Sequence, residues 1–186
     1  MRAAPVVLLL LTACGGDPEV IPMCEVRTSL IDHRAWVQVP VESDPFAAEG
    51  ERCAPVVQMR AEDLTGELSY TIETRGCRWG TVSQPAPFAV AAGEALNYRL
   101  WYFSQTNFDV AQARLLMAVG AEELWTLLVA LPVSAGALVY DSFPAPRSIA
   151  AGEPLLFHVE NHGTNSWNLI ELTVSRMEPC RRDGGM

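Results

Sequence analysis

The chain contains no lysine and only three histidines in 186 residues. Its 13 basic residues are therefore all arginines, and they face 22 acids for a formal net charge of −9. Nucleic acid is excluded as a partner on that balance, because phosphate binding needs clustered cations. Absent lysine beside abundant Ala, Val, Pro and Gly reflects a GC-rich genome more than a mechanism. Also missing are a G-x-S-x-G nucleophile elbow, an H-E-x-x-H pair and a phosphate-cradling glycine loop, so three common kinds of catalysis have no local signature. Twenty-two carboxylates let some pair, such as Glu73 with Glu171, reach glycosidase distance, but a pair drawn from so many has almost no specificity. Past residue 13, no apolar run is long enough to cross a bilayer.

What is present begins at the N-terminus. Arg2 precedes an apolar stretch from Val6 to Leu11, and Thr12 and Ala13 are small enough for a peptidase cleft just before Cys14. The run Leu11-Thr12-Ala13-Cys14 resembles a bacterial lipobox. That resemblance implies a signal peptide over 1–13 and makes Cys14 the first mature residue, carrying a diacylglyceryl group and generally a third acyl chain. At about 0.8 kcal/mol per buried methylene, two or three chains make the membrane a lasting partner. Gly15 follows the cysteine where aspartate marks inner-membrane retention in enteric bacteria, so the resemblance implies a lipid-anchored protein of the cell envelope, at the outer membrane. Loss of Arg2 leaves 12 basic residues against 22 acids, a mature charge of −10. Residues 14–23 lack periodicity and are expected to form a lipidated tether, followed by one domain over 24–180 and a flexible tail over 181–186.

With Cys14 lipidated, Cys24, Cys53, Cys77 and Cys180 remain, and an even number in an exported chain reads as a disulfide framework. Three pairings are possible. Cys53–Cys77 with Cys24–Cys180 is preferred, because the second pair would tie the two ends of the domain together. Metal binding by these cysteines has little support: no C-x-x-C occurs. No cofactor and no metal site are expected.

From Glu25 onward, apolar and polar residues alternate. Ala35, Val37, Val39 and Val41 share one face of 35–41, and Leu68, Tyr70 and Ile72 one face of 67–75. The same period of two runs through 95–103 and 168–175, the latter with Ile170, Leu172 and Val174 on one side. Residues 110–131 suit a helix by composition, but Gly120 interrupts them and no polar stripe recurs at helical spacing, so a hairpin of 113–119 and 124–131 is expected. Ala137–Phe143 adds a short strand. The architecture is all-β, a two-layer antiparallel sandwich.

An internal repeat supports this. Val90-Ala91-Ala92-Gly93-Glu94, followed by Leu96, Tyr98 and Leu100, matches Ile149-Ala150-Ala151-Gly152-Glu153, followed by Leu155, Phe157 and Val159. Each copy has glycine where a turn most needs positive φ, then an alternating strand. The second copy continues through Asn161-His162-Gly163-Thr164-Asn165 into a strand from Trp167. This arrangement resembles immunoglobulin-like and carbohydrate-binding β-sandwiches over about 90 residues, which implies a jelly-roll or immunoglobulin-like topology and says little about ligand. A likeness to cupredoxins fails on ligand count: Trp167 stands where the first copper histidine would fall, and no histidine follows His162.

His158, Glu160 and His162 recur at every second residue and would share the outer face of a strand. The outer two would lie roughly 13 Å apart at about 3.3 Å per residue, too far to share one ion. His158 and Glu160 are expected to face water. The aromatics carry the sharper expectation: with Leu96, Tyr98 and Leu100 inward, Arg99, Trp101 and Phe103 point the other way, and Trp36 and Trp167 likewise oppose their apolar neighbours. If their strands share a sheet, Trp36, Trp101 and Trp167 form a platform for a sugar ring, with Arg99, Gln38, Asn165 and Asn168 as hydrogen-bonding groups. Trp79 and Trp125 are expected to be packing residues. The sequence therefore points to a non-catalytic ligand-binding lipoprotein, with a glycan as the ligand; a structural lipoprotein docking an envelope protein is the alternative, and a metal-assisted or carboxylate hydrolase ranks last.

Overall fold

The computed structural model describes residues 22–64, 66–105 and 111–180. The lipobox, Cys14, the tether up to residue 21 and the tail over 181–186 lie outside the described residues. Met23, expected in the tether, instead opens the first strand. The strands are β1 (Met23–Ser29), β2 (Val37–Gln38), β3 (Met59–Leu64), β4 (Glu67–Glu73), β5 (Trp79–Pro85), β6 (Ala95–Tyr102), β7 (Ala111–Val119), β8 (Glu122–Leu131), β9 (Ala137–Pro144), β10 (Pro154–Glu160) and β11 (Ser166–Pro179).

They form two antiparallel sheets. The larger runs β3-β4-β11-β6-β9, with β1 added along the C-terminal half of β11; the smaller runs β2-β5-β10-β7-β8. The expected hairpin is present, with β7 and β8 joined at Gly120, whose φ is +58°. Between the sheets lie Ile72, Leu96, Leu100, Leu115, Met117, Leu155, Phe157, Val159, Leu169, Leu172 and Val174, all fully buried. Burial of such side chains is worth about 1.5–3 kcal/mol each. Two disulfides staple the sandwich in the preferred pairing: Cys24–Cys180 closes the two ends of the domain, and Cys53–Cys77 ties the segment before β3 to the start of β5.

The repeat proves to be architectural. Its match extends over Ser83–Tyr98 and Ser142–Phe157, both of which run Ser-x-Pro-Ala-Pro before the Ala-Ala-Gly-Glu turn. Val90 and Ile149 exchange backbone hydrogen bonds of 2.9 and 2.8 Å. Around them Gly93 N–H donates to Ala145 O while Gly152 N–H donates to Ala86 O, each at 2.8 Å. Each copy closes its own turn too, Ala91 N–H on Glu94 Oε2 and Ala150 N–H on Glu153 Oε2. One copy supplies β5-β6-β7 and the other β9-β10-β11, so that β5-β10-β7 in one sheet corresponds to β9-β6-β11 in the other. The two copies thus hold corresponding places in the two sheets.

Two face assignments are corrected. In 35–41 only Val37–Gln38 is strand, and Val37 is 67% exposed. The indole of Trp36 takes the core position instead, 5.8 Å from Tyr70 and 6.5 Å from Phe157. A Trp ring buries more apolar area than a valine, and Pro40 with the 3₁₀ turn Val41–Ser43 stops the strand before alternation can decide the face. In β11, the pairing with β6 shifts between Leu169 and Glu171. A bulge of this kind inserts one residue and inverts the phase, so Trp167 and Leu169 point inward before it and Leu172 and Val174 after it. Ile170, expected inward, is the half-buried bulge residue.

Candidate functional site

The expected three-tryptophan platform does not form. Trp167 is 0% exposed and packs 5.3 Å from Tyr102, and Trp36 lies in the core. Asn165 is also buried, as a clamp: its Oδ1 accepts from Phe103 N–H at 3.2 Å and its Nδ2 donates to Phe103 O at 2.9 Å. Those bonds consume the side chain that was expected to meet ligand. Asn168 is spent likewise, accepting from Thr71 Oγ1 at 2.7 Å and donating to Trp101 O at 3.0 Å. Gln38 donates to Cys53 O. Trp125 packs 4.0 Å from Tyr98. Trp79 is buried with Arg52 over its ring at 5.2 Å.

Trp101 and Arg99 are where the pattern put them, on the outer face of the larger sheet. Strand register builds this face in rows. One row runs Leu138, Trp101, Asn168, Thr71 and Arg60 across β9, β6, β11, β4 and β3. The next runs Tyr140, Arg99 and Glu171, and a third Ser142, Asn97 and Thr173. Tyr140, which the alternation in β9 could have flagged, is 74% exposed and supplies an uncovered ring; Phe103, 43% exposed, meets the Trp101 ring edge-on at 6.2 Å. Beside Tyr140 a groove of about 340 Å³ is lined by Arg27, Asn97, Tyr98, Arg99, Asp141, Ser142 and Glu171.

The arginines of this face are paired with acids of the same chain, while Asp141 at the groove accepts, among the described residues, only from the backbone N–H of Ser142. Arg99 meets Glu67 at 2.7 Å and Glu171 at 2.8 Å, and the bond from Glu67 chiefly raises its pKa further. Arg27 pairs with Glu25, which also accepts from Ser175 Oγ at 2.6 Å. Asn97, which lines the groove, donates its Nδ2 to Ser175 Oγ at 2.9 Å. The face thus offers aromatic surface and hydrogen-bonding groups with more acids than arginines, a balance that disfavours an anionic ligand.

The histidines sit elsewhere. His158 lies on the outer face of the smaller sheet as expected, but it does not meet water: Phe46 and Trp79 close over it at 5.7 and 6.4 Å, and it is fully buried. Its Nδ1 bonds Thr81 Oγ1 at 2.8 Å. Burial, helped by the nearby Arg114, pushes its pKa down to about 4 against the opposing pull of Glu123. Glu160 and His162 lie 3.8 Å apart at the end of the sandwich. Among the described residues no three His, Cys, Asp or Glu side chains cluster as metal ligands.

No family model matches the chain, and no curated protein matches it. Among solved structures it is similar to a family 29 carbohydrate-binding module (10% identity, TM-score 0.45, 82% of this chain and 89% of that one). It is also similar to a family 11 carbohydrate-binding module from Clostridium thermocellum, in complex with a β-1,3-1,4-mixed-linked tetrasaccharide (8% identity, TM-score 0.45, 81% and 94% covered). A third is the K3 cleaved adhesin domain of Lys-gingipain from Porphyromonas gingivalis w83 (9% identity, TM-score 0.44, 81% and 99% covered). The sandwich rests on this chain's own strands and registers; likenesses of this order say nothing about its ligand.

Proposed function

We propose that this chain is a lipid-anchored, non-catalytic binding module of the bacterial cell envelope, which takes a neutral glycan on the outer face of its larger sheet. The observation that carries this reading is the exposed Tyr140 ring, on the same outer face as Trp101 and beside a groove whose arginines are already paired with glutamates. A pyranose ring presents an apolar face for stacking and a rim of hydroxyls for hydrogen bonding. Tyr140 and Trp101 supply the first, and Asn97, Ser142 and the Arg99–Glu171 pair the second. The lipid anchor rests on the lipobox resemblance, and the outer-membrane address on Gly15.

A glycan array probed with the full chain, in parallel with Tyr140→Ala and Trp101→Ala, tests the binding. Signal on neutral glycans that Tyr140→Ala abolishes supports it; signal unchanged in both variants places the ligand elsewhere. Replacing Cys14 with Ser tests the anchor. The variant should leave the detergent phase and persist as an uncleaved precursor, and unchanged partitioning would remove the lipid from the account.

A further inference from the structure

Sheet edges expose unpaired backbone donors and acceptors, and soluble proteins guard them with charge, proline or shortness. Among the described residues the free edges here are guarded in those ways, with one exception. β2 is two residues long. β3 carries Arg60, Glu62 and Asp63, and β1 carries Glu25 and Arg27. β9 ends in Pro144 and bears Asp141, which lies opposite the inward-facing Tyr98 and so points a charge inward at the edge. β8 is the exception. It is ten residues long, and from Leu124 to Leu131 it reads Leu-Trp-Thr-Leu-Leu-Val-Ala-Leu, with no charge, proline or glycine. On one side β7 pairs it over its whole length; it ends the sheet on the other.

We infer that β8 is the interface for a second copy of this chain, whose β8 adds antiparallel to it and joins the two smaller sheets into one continuous sheet about a two-fold axis. Self-pairing is favoured by the strand's own charge placement. With Leu128 opposite its counterpart, Thr126 faces Ala130 and, on the inner side, Leu127 faces Val129 and Trp125 faces Leu131. Glu122 and Glu123, the strand's only charges, then fall beyond the paired stretch, so no carboxylate meets another. This register keeps inward residues on the inner face, as an even offset must. It covers Leu128, 53% exposed on the outer face in the single copy. Arg114, opposite Leu128 on β7, is already ion-paired with Glu123, which leaves no free charge there to select an acidic or basic peptide. The net charge of −9 opposes association at long range, so the dimer should tighten with added salt.

Sedimentation velocity of the full chain carrying Cys14→Ser, in mild non-ionic detergent over a roughly hundredfold concentration range, tests this by mass action. The expected result is a monomer–dimer equilibrium that strengthens with salt. Leu128→Lys, on an exposed position that the monomer tolerates, should weaken it at least about tenfold, whereas Tyr140→Ser on β9 should leave it unchanged. Leu128→Cys should cross-link copy to copy on mild oxidation. A strictly monomeric chain, a dimer indifferent to Leu128→Lys, or a Leu128→Cys chain that fails to cross-link would overturn the proposal.

Discussion

Val90 and Ile149, 59 positions apart, hold each other by two backbone hydrogen bonds of 2.9 and 2.8 Å, and through them the two copies of the repeat meet. Each copy's turn depends on a glycine at positive φ, +85° at Gly93 and +83° at Gly152, and on a glutamate that caps it. A Cβ at either glycine meets nothing within 4 Å, so the cost of Gly93→Ala or Gly152→Ala is conformational. It should be about 1–2 kcal/mol in each copy, read by chemical denaturation. Equal costs follow from the matched geometry of the two turns.

The repeat, the strand alternation and both disulfides were legible in the sequence because each is local or combinatorially small. The sandwich class followed from them. The site was legible in part. Alternation in 95–103 places Arg99 and Trp101 outward because β6 is itself regular, the extra residue in its pairing with β11 lying on β11. It fails for Trp167 because the bulge of β11 against β6 inverts the phase, and nothing in 166–175 marks it. For Trp36 it fails because β2 is too short for alternation to hold. Asn165 looks like a loop residue open to ligand, and only the fold brings Phe103 against it.

Trp36 and Trp167 should therefore behave as core. Trp36→Ala and Trp167→Ala should each cost about 3–5 kcal/mol of stability. Neither indole N–H has a hydrogen-bond partner, so Trp167→Phe should cost less than Trp167→Ala. Tyr140→Ala should stay within about 0.5 kcal/mol of the parent. Urea unfolding of the four variants separates the classes.

His158 sets a pH dependence of known sign. Its folded pKa of about 4 lies below the unfolded value of about 6.5, so the unfolded chain binds the proton first. The stability held at neutral pH is lost as pH falls from about 6.5 to 4, by roughly 3 kcal/mol in all, and the loss levels off below that. His158→Asn should flatten this part of the curve, while contributions from Glu94 and Glu153, whose pKa values their bonds to Arg176 and Arg147 lower, remain at more acid pH. Midpoint denaturant concentrations measured from pH 7 to pH 4 check it.

The staples differ in reach. Cys24–Cys180 spans 156 positions and Cys53–Cys77 spans 24. On chain entropy, the double variant Cys24→Ser/Cys180→Ser should lose about 5 kcal/mol and Cys53→Ser/Cys77→Ser about 3 kcal/mol. Thermal unfolding of the two, without reductant, should preserve that order.

The central claim is that an exposed tyrosine and its neighbours on the larger sheet take a neutral glycan. Isothermal titration of the strongest neutral array glycan into the Cys14→Ser chain, with and without Tyr140→Ala, tests it most directly. Removing the stacking ring should cost about 1–2 kcal/mol, roughly 5- to 30-fold in affinity, with the unfolding curve unmoved. Equal affinity in the two proteins, or no glycan bound by a folded parent, would contradict the account.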